Sequence, residues 1–227
     1  MFEAYPKLKR FSGANMTITE KIDGTNGQIL IGIDHGDGPG SPLIPPRPFL
    51  QMVGSRKREI TPEKDNYGFA RICYAYEKSL CEALGEGRHY GEWAGLGIQK
   101  NPLGLTEKLF FLFNTQAWSG DEARDERFAK AQKLVPWLRL VPILYQGKFD
   151  LDMIEHFLAR TQKMAGGIIA DQGTNVPEAI DAFAEGIVIS CFGTKFKMTK
   201  DNRPKSSRKS DKITPKTKMT EENQTDK

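Results

Sequence analysis

The sequence predicts an α+β domain built mainly on antiparallel sheets with flanking helices, and three observations carry that expectation. Short β-favouring runs separated by turn signals recur from Met16 to Met198. Helical periodicity is confined to three segments between them. The glycine motifs of parallel-sheet nucleotide folds are missing: no Gly-x-x-x-x-Gly-Lys-Ser/Thr occurs, and Gly85-Glu86-Gly87 does not extend to a dinucleotide fingerprint. At 227 residues, with 38% hydrophobic and 27% charged residues, the chain can bury a sizeable core.

Taken in order, Tyr5 to Phe11 is a basic-aromatic lead-in of extended character. Met16–Thr19 and Gln28–Ile33 read as strands joined by a sharp Asp23-Gly24 turn, which presents the Lys21 amine at its edge. Asp34 to Pro48 is too rich in Gly and Pro to continue a sheet and predicts a long surface loop. Met52 to Arg58 returns to strand and ends in a cluster of cations. Tyr67 to Leu84 predicts one helix: Phe69, Ile72, Cys73, Tyr76, Leu80 and Leu84 recur every three or four residues, and Gly85 stops it. That aromatic stripe is core.

Arg88 to Trp93 predicts a strand, and the nearly continuous apolar run from Lys108 to Thr115 a buried central one. Asp121 to Leu134 predicts a charged surface helix capped by Asp121. Leu140 to Leu144 suggests a short strand. Asp150 to Ala165 predicts a helix with Leu151, Ile154, Phe157, Leu158 and Thr161 on one face, ended by Gly166-Gly167. Two strands, Ala184–Ile189 and Thr194–Met198, complete the series. From Lys200 apolar residues nearly vanish, which predicts a disordered tail. The expected organisation is one domain over 1–199, a basic tail over 200–227 and no OB-fold, since 30 polar residues after Lys197 are too few for one.

Composition excludes several classes. No run reaches the roughly 18 apolar residues of a membrane span, and the amino terminus lacks a signal-peptide pattern. Cys73, Cys81 and Cys191 have neither disulfide-framework nor zinc spacing, and the three histidines are scattered. A reduced, cytoplasmic monomer is expected. Residues 200–227 hold nine Lys or Arg against five Asp or Glu, which accounts for the whole net charge of +4; the preceding 199 residues balance at 24 of each sign. Nucleic-acid binding by the body must therefore rest on particular residues. The tail reads equally as a salt-sensitive hold on phosphates and as a quiet, solubilising terminus.

Five islands remain: Lys21 in Lys-Ile-Asp-Gly, Arg56 in Ser-Arg-Lys-Arg, Glu92 in Gly-Glu-Trp, Glu185 in Glu-Gly-Ile-Val-Ile, and Lys195-Phe196-Lys197. Singly each has a bland reading as a solvated strand or turn residue. Together with Phe111-Leu112-Phe113-Asn114, their order resembles the collinear motifs of the covalent nucleotidyltransferases: ATP-dependent RNA and DNA ligases and mRNA capping guanylyltransferases. The resemblance spans residues 5–198, and Glu-Lys-Ile-Asp-Gly-Thr-Asn is most similar to the nick-sealing RNA ligase branch. Two positions depart from that branch: Asp23 stands where His is common, and Asn114 where Asp is.

The resemblance implies an ATP-dependent ligase acting on RNA ends or nicked duplex, with Mg²⁺ or Mn²⁺. By the same resemblance Lys21 is the adenylated nucleophile, and Lys195 and Lys197 contact the α-phosphate. Glu20 faces the adenine edge, Arg56 holds phosphate or ribose, Glu92 contacts the ribose hydroxyls, and Phe113 stacks on the purine. Glu185 is the metal-binding carboxylate and Asn26 lies toward the substrate end. A minimal DNA nick ligase, and a nucleotide- or RNA-binding protein without catalysis, stay open as alternatives.

Overall fold

The computed structural model of the chain describes residues 13–35, 46–161 and 185–199. Among them nine strands and four α-helices form the expected α+β architecture, with two sheets. In the first, β1 (Asn15–Lys21) lies between β7 (Ile143–Lys148) and β8 (Gly186–Cys191), and β9 (Thr194–Thr199) pairs with β8 at the edge; every pair is antiparallel. The second runs β3 (Arg47–Ser55), β2 (Thr25–Asp34), β4 (Gly87–Gly95), β5 (Lys108–Leu112), β6 (Leu138–Leu140). Its one parallel pair is β5–β6, joined through a 3-10 turn at Thr115–Ala117 and α3 (Glu122–Leu134), the kind of crossover parallel strands need. Asp121 caps α3 as expected, its side chain accepting from the Arg124 N–H at 2.9 Å.

Three expectations need correction. The Asp23-Gly24 bend is real, but it closes no hairpin: β1 and β2 belong to different sheets, and residues 22–24 carry the chain from one to the other. Clearance there is small. A Cβ on Gly24 would lie 2.5 Å from the Trp93 carbonyl oxygen and 2.9 Å from Ala94 Cβ, so only glycine lets the chain pass this close to β4. Second, Leu140–Leu144 is the junction of two strands. β6 ends at Leu140, β7 starts at Ile143, and Pro142 between them has no N–H to continue a ladder. Third, Tyr67–Leu84 is two helices, α1 (Phe69–Ala75) and α2 (Glu77–Leu84), broken at Tyr76 (φ −106°, ψ 19°). The Tyr76 ring meets Trp137 edge-on at 5.8 Å, a contact worth about 1 kcal/mol beyond its burial.

Each sheet buries one face under helices. Behind the five-stranded sheet, α1, α2 and α3 cover Ile29, Ile31, Trp93 and Phe110; the Phe69 ring lies 5.4 Å from Trp93 and 4.8 Å from Phe110. Behind the other, Met16, Ile18, Ile187 and Ile189 pack with Ile154 of α4 (Leu151–Thr161). The lead-in at Tyr5–Phe11, the middle of the Gly/Pro loop, the end of the last helix with Gly166-Gly167, and the tail lie outside the described residues.

Candidate active site

Strand alternation decides what β1 offers. Met16 and Ile18 point into the core, so Thr17, Thr19 and Lys21 point the other way, while Glu20, though buried, still borders the cleft. Register then extends that row across the sheet. Thr17 faces Ser190, which faces Lys195; Thr19 faces Val188, which faces Lys197. The two lysines of β9 therefore lie two strands, about 10 Å, from β1 on one surface. Lys21 pairs with Gly186, and the residue before it, Glu185, forms an ion pair with the Lys21 ammonium. A Cβ on Gly186 would lie 2.0 Å from the Met198 carbonyl oxygen, so the glycine after Glu185 is what lets β9 approach.

The opposite wall comes from the second sheet. Asn26 of β2 faces Glu92 of β4, and its Nδ2 donates to Glu92 Oε2 at 2.7 Å. Phe113 follows β5 and is 39% exposed as a residue, its N–H donating to the Tyr90 carbonyl at 2.9 Å. Arg56 follows β3 and is exposed. Glu20, Lys21, Asn26, Arg56, Glu92, Phe113, Lys195 and Lys197 all line one cleft of about 660 Å³. Glu185 joins them through Lys21. Six separate segments of sequence thus converge on one space.

Sequence reasoning missed the rest of the lining. Thr17, Thr19, Val188 and Ser190 follow from period-two alternation once Lys21 and Lys195 face the cleft, so that signal was present. Val141, Ile143 and Gln116 had no local signal. Gln116 Nε2 donates to Thr17 Oγ1 at 3.0 Å, which ties the 3-10 turn after β5 to β1 across the end of the cleft.

Carboxylates crowd around Lys21. Burial pushes the Glu92 carboxyl up to about 7, with Glu185 and Asp23 adding to the rise and Lys21 and the Asn26 hydrogen bond opposing it. Asp23 is also raised, first by burial and then by Glu185, against Lys21 and Lys100. A carboxyl that holds its proton more tightly when folded is no burden below its ordinary value of 4.5, but it costs stability as pH climbs towards 7. Glu92→Gln removes that dependence. Melting curves at pH 5 and pH 8 are expected to show the variant gaining on the parent protein at the higher pH, and a constant difference would contradict the assignment.

Among the described residues no group of three His, Cys, Asp or Glu could enclose a metal ion. Glu185, with 37% of its side chain exposed beside Lys21, could offer one carboxylate to a divalent ion that keeps water and phosphate ligands, the habit of Mg²⁺. The donor set fits that mode of binding.

A family model described as RNA ligase matches residues 14–206. The chain belongs to the RNA ligase family. No curated protein matches it. This RNA ligase-family chain is also similar to solved structures of the Naegleria gruberi RNA ligase. They include a mutant with ATP and Mn (19% identity, TM-score 0.49, 83% of this chain and 50% of that one) and the enzyme with pyrophosphate (20%, 0.47, with the same two coverages). Another mutant, with AMP and Mn, matches at 19% identity and TM-score 0.49, again over 83% and 50%. This family member spans about half the length of those chains.

Proposed function

We propose that the chain is an ATP-dependent RNA ligase that joins a 3′-hydroxyl to a 5′-phosphate through a lysyl-AMP. The observation that carries this reading is Lys21: an amine with 18% of its side chain exposed, on the wall of a nucleotide-sized cleft that also presents Arg56, Lys195 and Lys197. A module that only bound nucleotides would have no use for a nucleophile among three further cations.

In the first step the neutral Lys21 nitrogen attacks the α-phosphorus of ATP. A P–N bond forms, the P–O bond to pyrophosphate breaks, and the amine's proton leaves with solvent. Lys195 and Lys197 neutralise charge that gathers on the phosphate oxygens, and Arg56 fixes phosphate or ribose. Phe113 offers its exposed face to the purine, Glu20 borders the base edge, and Glu92, oriented by Asn26, meets the ribose hydroxyls. Glu185 would hold Mg²⁺ or Mn²⁺, which supplies further charge neutralisation on the phosphates. In the second step a 5′-phosphate oxygen attacks the AMP phosphorus, the P–N bond breaks, and Lys21 takes up a proton. In the third the 3′-hydroxyl loses its proton to solvent, attacks the 5′-phosphorus and expels AMP.

The test is a nicked duplex with a 5′-phosphorylated RNA strand, incubated with ATP and Mg²⁺. Joined product is expected, with slower sealing when DNA flanks the nick. Neither joined nor 5′-adenylylated strand would overturn the reading, and faster sealing of DNA would replace RNA as the substrate.

A further inference from the structure

The cleft face of the five-stranded sheet does not end at Glu92. Gln28 lies opposite Tyr90 and Leu30 opposite Arg88, so Glu92, Tyr90 and Arg88 share one face of β4 at steps of about 7 Å. A second pocket of about 410 Å³ lies along this row, and Arg56, Phe113 and Lys195 line both it and the first cleft. Its lining contains three cations, Arg56, Arg88 and Lys195, and no Asp or Glu. Bulk charge does not explain this, because residues 1–199 are balanced.

Arg88 is also held in place. Its Nη1 donates to Gln28 Oε1 at 2.6 Å, and Gln28 Nε2 donates to the Ser55 carbonyl at 2.8 Å. Gln28 therefore fastens the Arg88 guanidinium beside the end of β3, one residue before Arg56. Tyr90, between Arg88 and Glu92, is 53% exposed, a large aromatic face left open to solvent. Two guanidiniums, a lysine and an open aromatic ring are the parts that recognise a phosphate and its adjoining base.

We propose that this pocket receives the 5′-phosphate end of the strand to be joined, with the phosphate on Arg56 and Arg88 and the first base against Tyr90. The inference rests on the ligase reading and assigns a place for its second substrate. A terminal 5′-monophosphate carries close to two negative charges at neutral pH, and a carboxylate-free, three-cation pocket suits it. A 3′-hydroxyl is neutral and has no such need. Lys195 lines both spaces, so a phosphate seated here is beside the AMP phosphorus, where its oxygen forms the P–O–P bond as the P–N bond to Lys21 breaks.

The experiment compares the full chain with Arg88→Ala and Tyr90→Ala. Binding of a 5′-phosphorylated RNA oligonucleotide and of the same strand ending in 5′-hydroxyl is read by fluorescence anisotropy. Self-labelling with α-labelled ATP and AMP transfer to the 5′-phosphorylated strand are measured alongside. The parent protein is expected to prefer the phosphorylated end. Arg88→Ala should lose that preference and raise the apparent KM for strand about tenfold more than the KM for ATP. Tyr90→Ala should weaken both oligonucleotides alike. Unchanged discrimination in Arg88→Ala, with the parent protein still labelled by ATP, would sink the pocket assignment alone. A loss confined to self-labelling would give the pocket to the ATP phosphates instead. No labelling of the parent protein would remove the ligase reading and the inference with it.

Discussion

Lys21→Ala is expected to leave no radioactivity on the protein after incubation with α-labelled ATP and Mg²⁺ followed by denaturation. A covalent intermediate has no substitute nucleophile, so the loss in self-labelling should be on the order of 10⁴-fold or more. The variant should still fold. Lys21 and Glu185 form a partly exposed ion pair, a kind that contributes at most about 1 kcal/mol. Lys21→Arg makes the same point more sharply, since arginine keeps a cation for Glu185 but stays protonated and cannot attack phosphorus. Labelling of either variant at the parent level would remove Lys21 from its role.

Gly186→Ala is expected to cost both stability and activity. The added Cβ would meet the Met198 carbonyl oxygen at 2.0 Å and Thr199 Cα at 2.9 Å, both backbone atoms that cannot rotate away. Relief requires β9 to move off β8, which overpacking data place at about 3 kcal/mol. For a domain of this size that lowers Tm by roughly 6–12 °C. The damage is also chemical, because β9 carries Lys195 and Lys197 and Gly186 follows Glu185. Calorimetry and self-labelling should therefore fall together. A variant with parental Tm would show that β8 and β9 can separate without cost and would overturn the expectation.

The site residues were legible because their motifs, in order, resemble those of the covalent nucleotidyltransferases, and their geometry helps in one respect. Each motif residue sits on a short strand or just beyond one, and period-two alternation says which neighbours share its face. Phe69, Cys73, Leu80 and Leu84 could be assigned to the core, and Asp121 to a cap, from spacing alone. Which strands share a sheet could not. An Asp-Gly bend looks the same whether it closes a hairpin or carries the chain between sheets. The choice was made by the clearance at Gly24 against Trp93 and Ala94, residues about 70 positions away. Pro142 gave a better clue than its context suggested, since a residue without an N–H marks where one ladder must end. Glu92 is raised first by burial and then by Glu185 and Asp23, against the pull of Lys21, and only folding brings these groups together. Arg88 had no motif to announce it; its tie to Gln28 depends on the register of β2 and β4.

The placement of the indoles has a spectroscopic consequence. The chain has three tryptophans, and Trp93, Trp118 and Trp137 all belong to the core behind the five-stranded sheet. The four-stranded sheet, which supplies Lys21, Glu185, Lys195 and Lys197, contributes none. Intrinsic tryptophan emission therefore watches one half of the molecule, and the half that carries the nucleophile unfolds or rearranges in the dark unless a fluorophore is placed there.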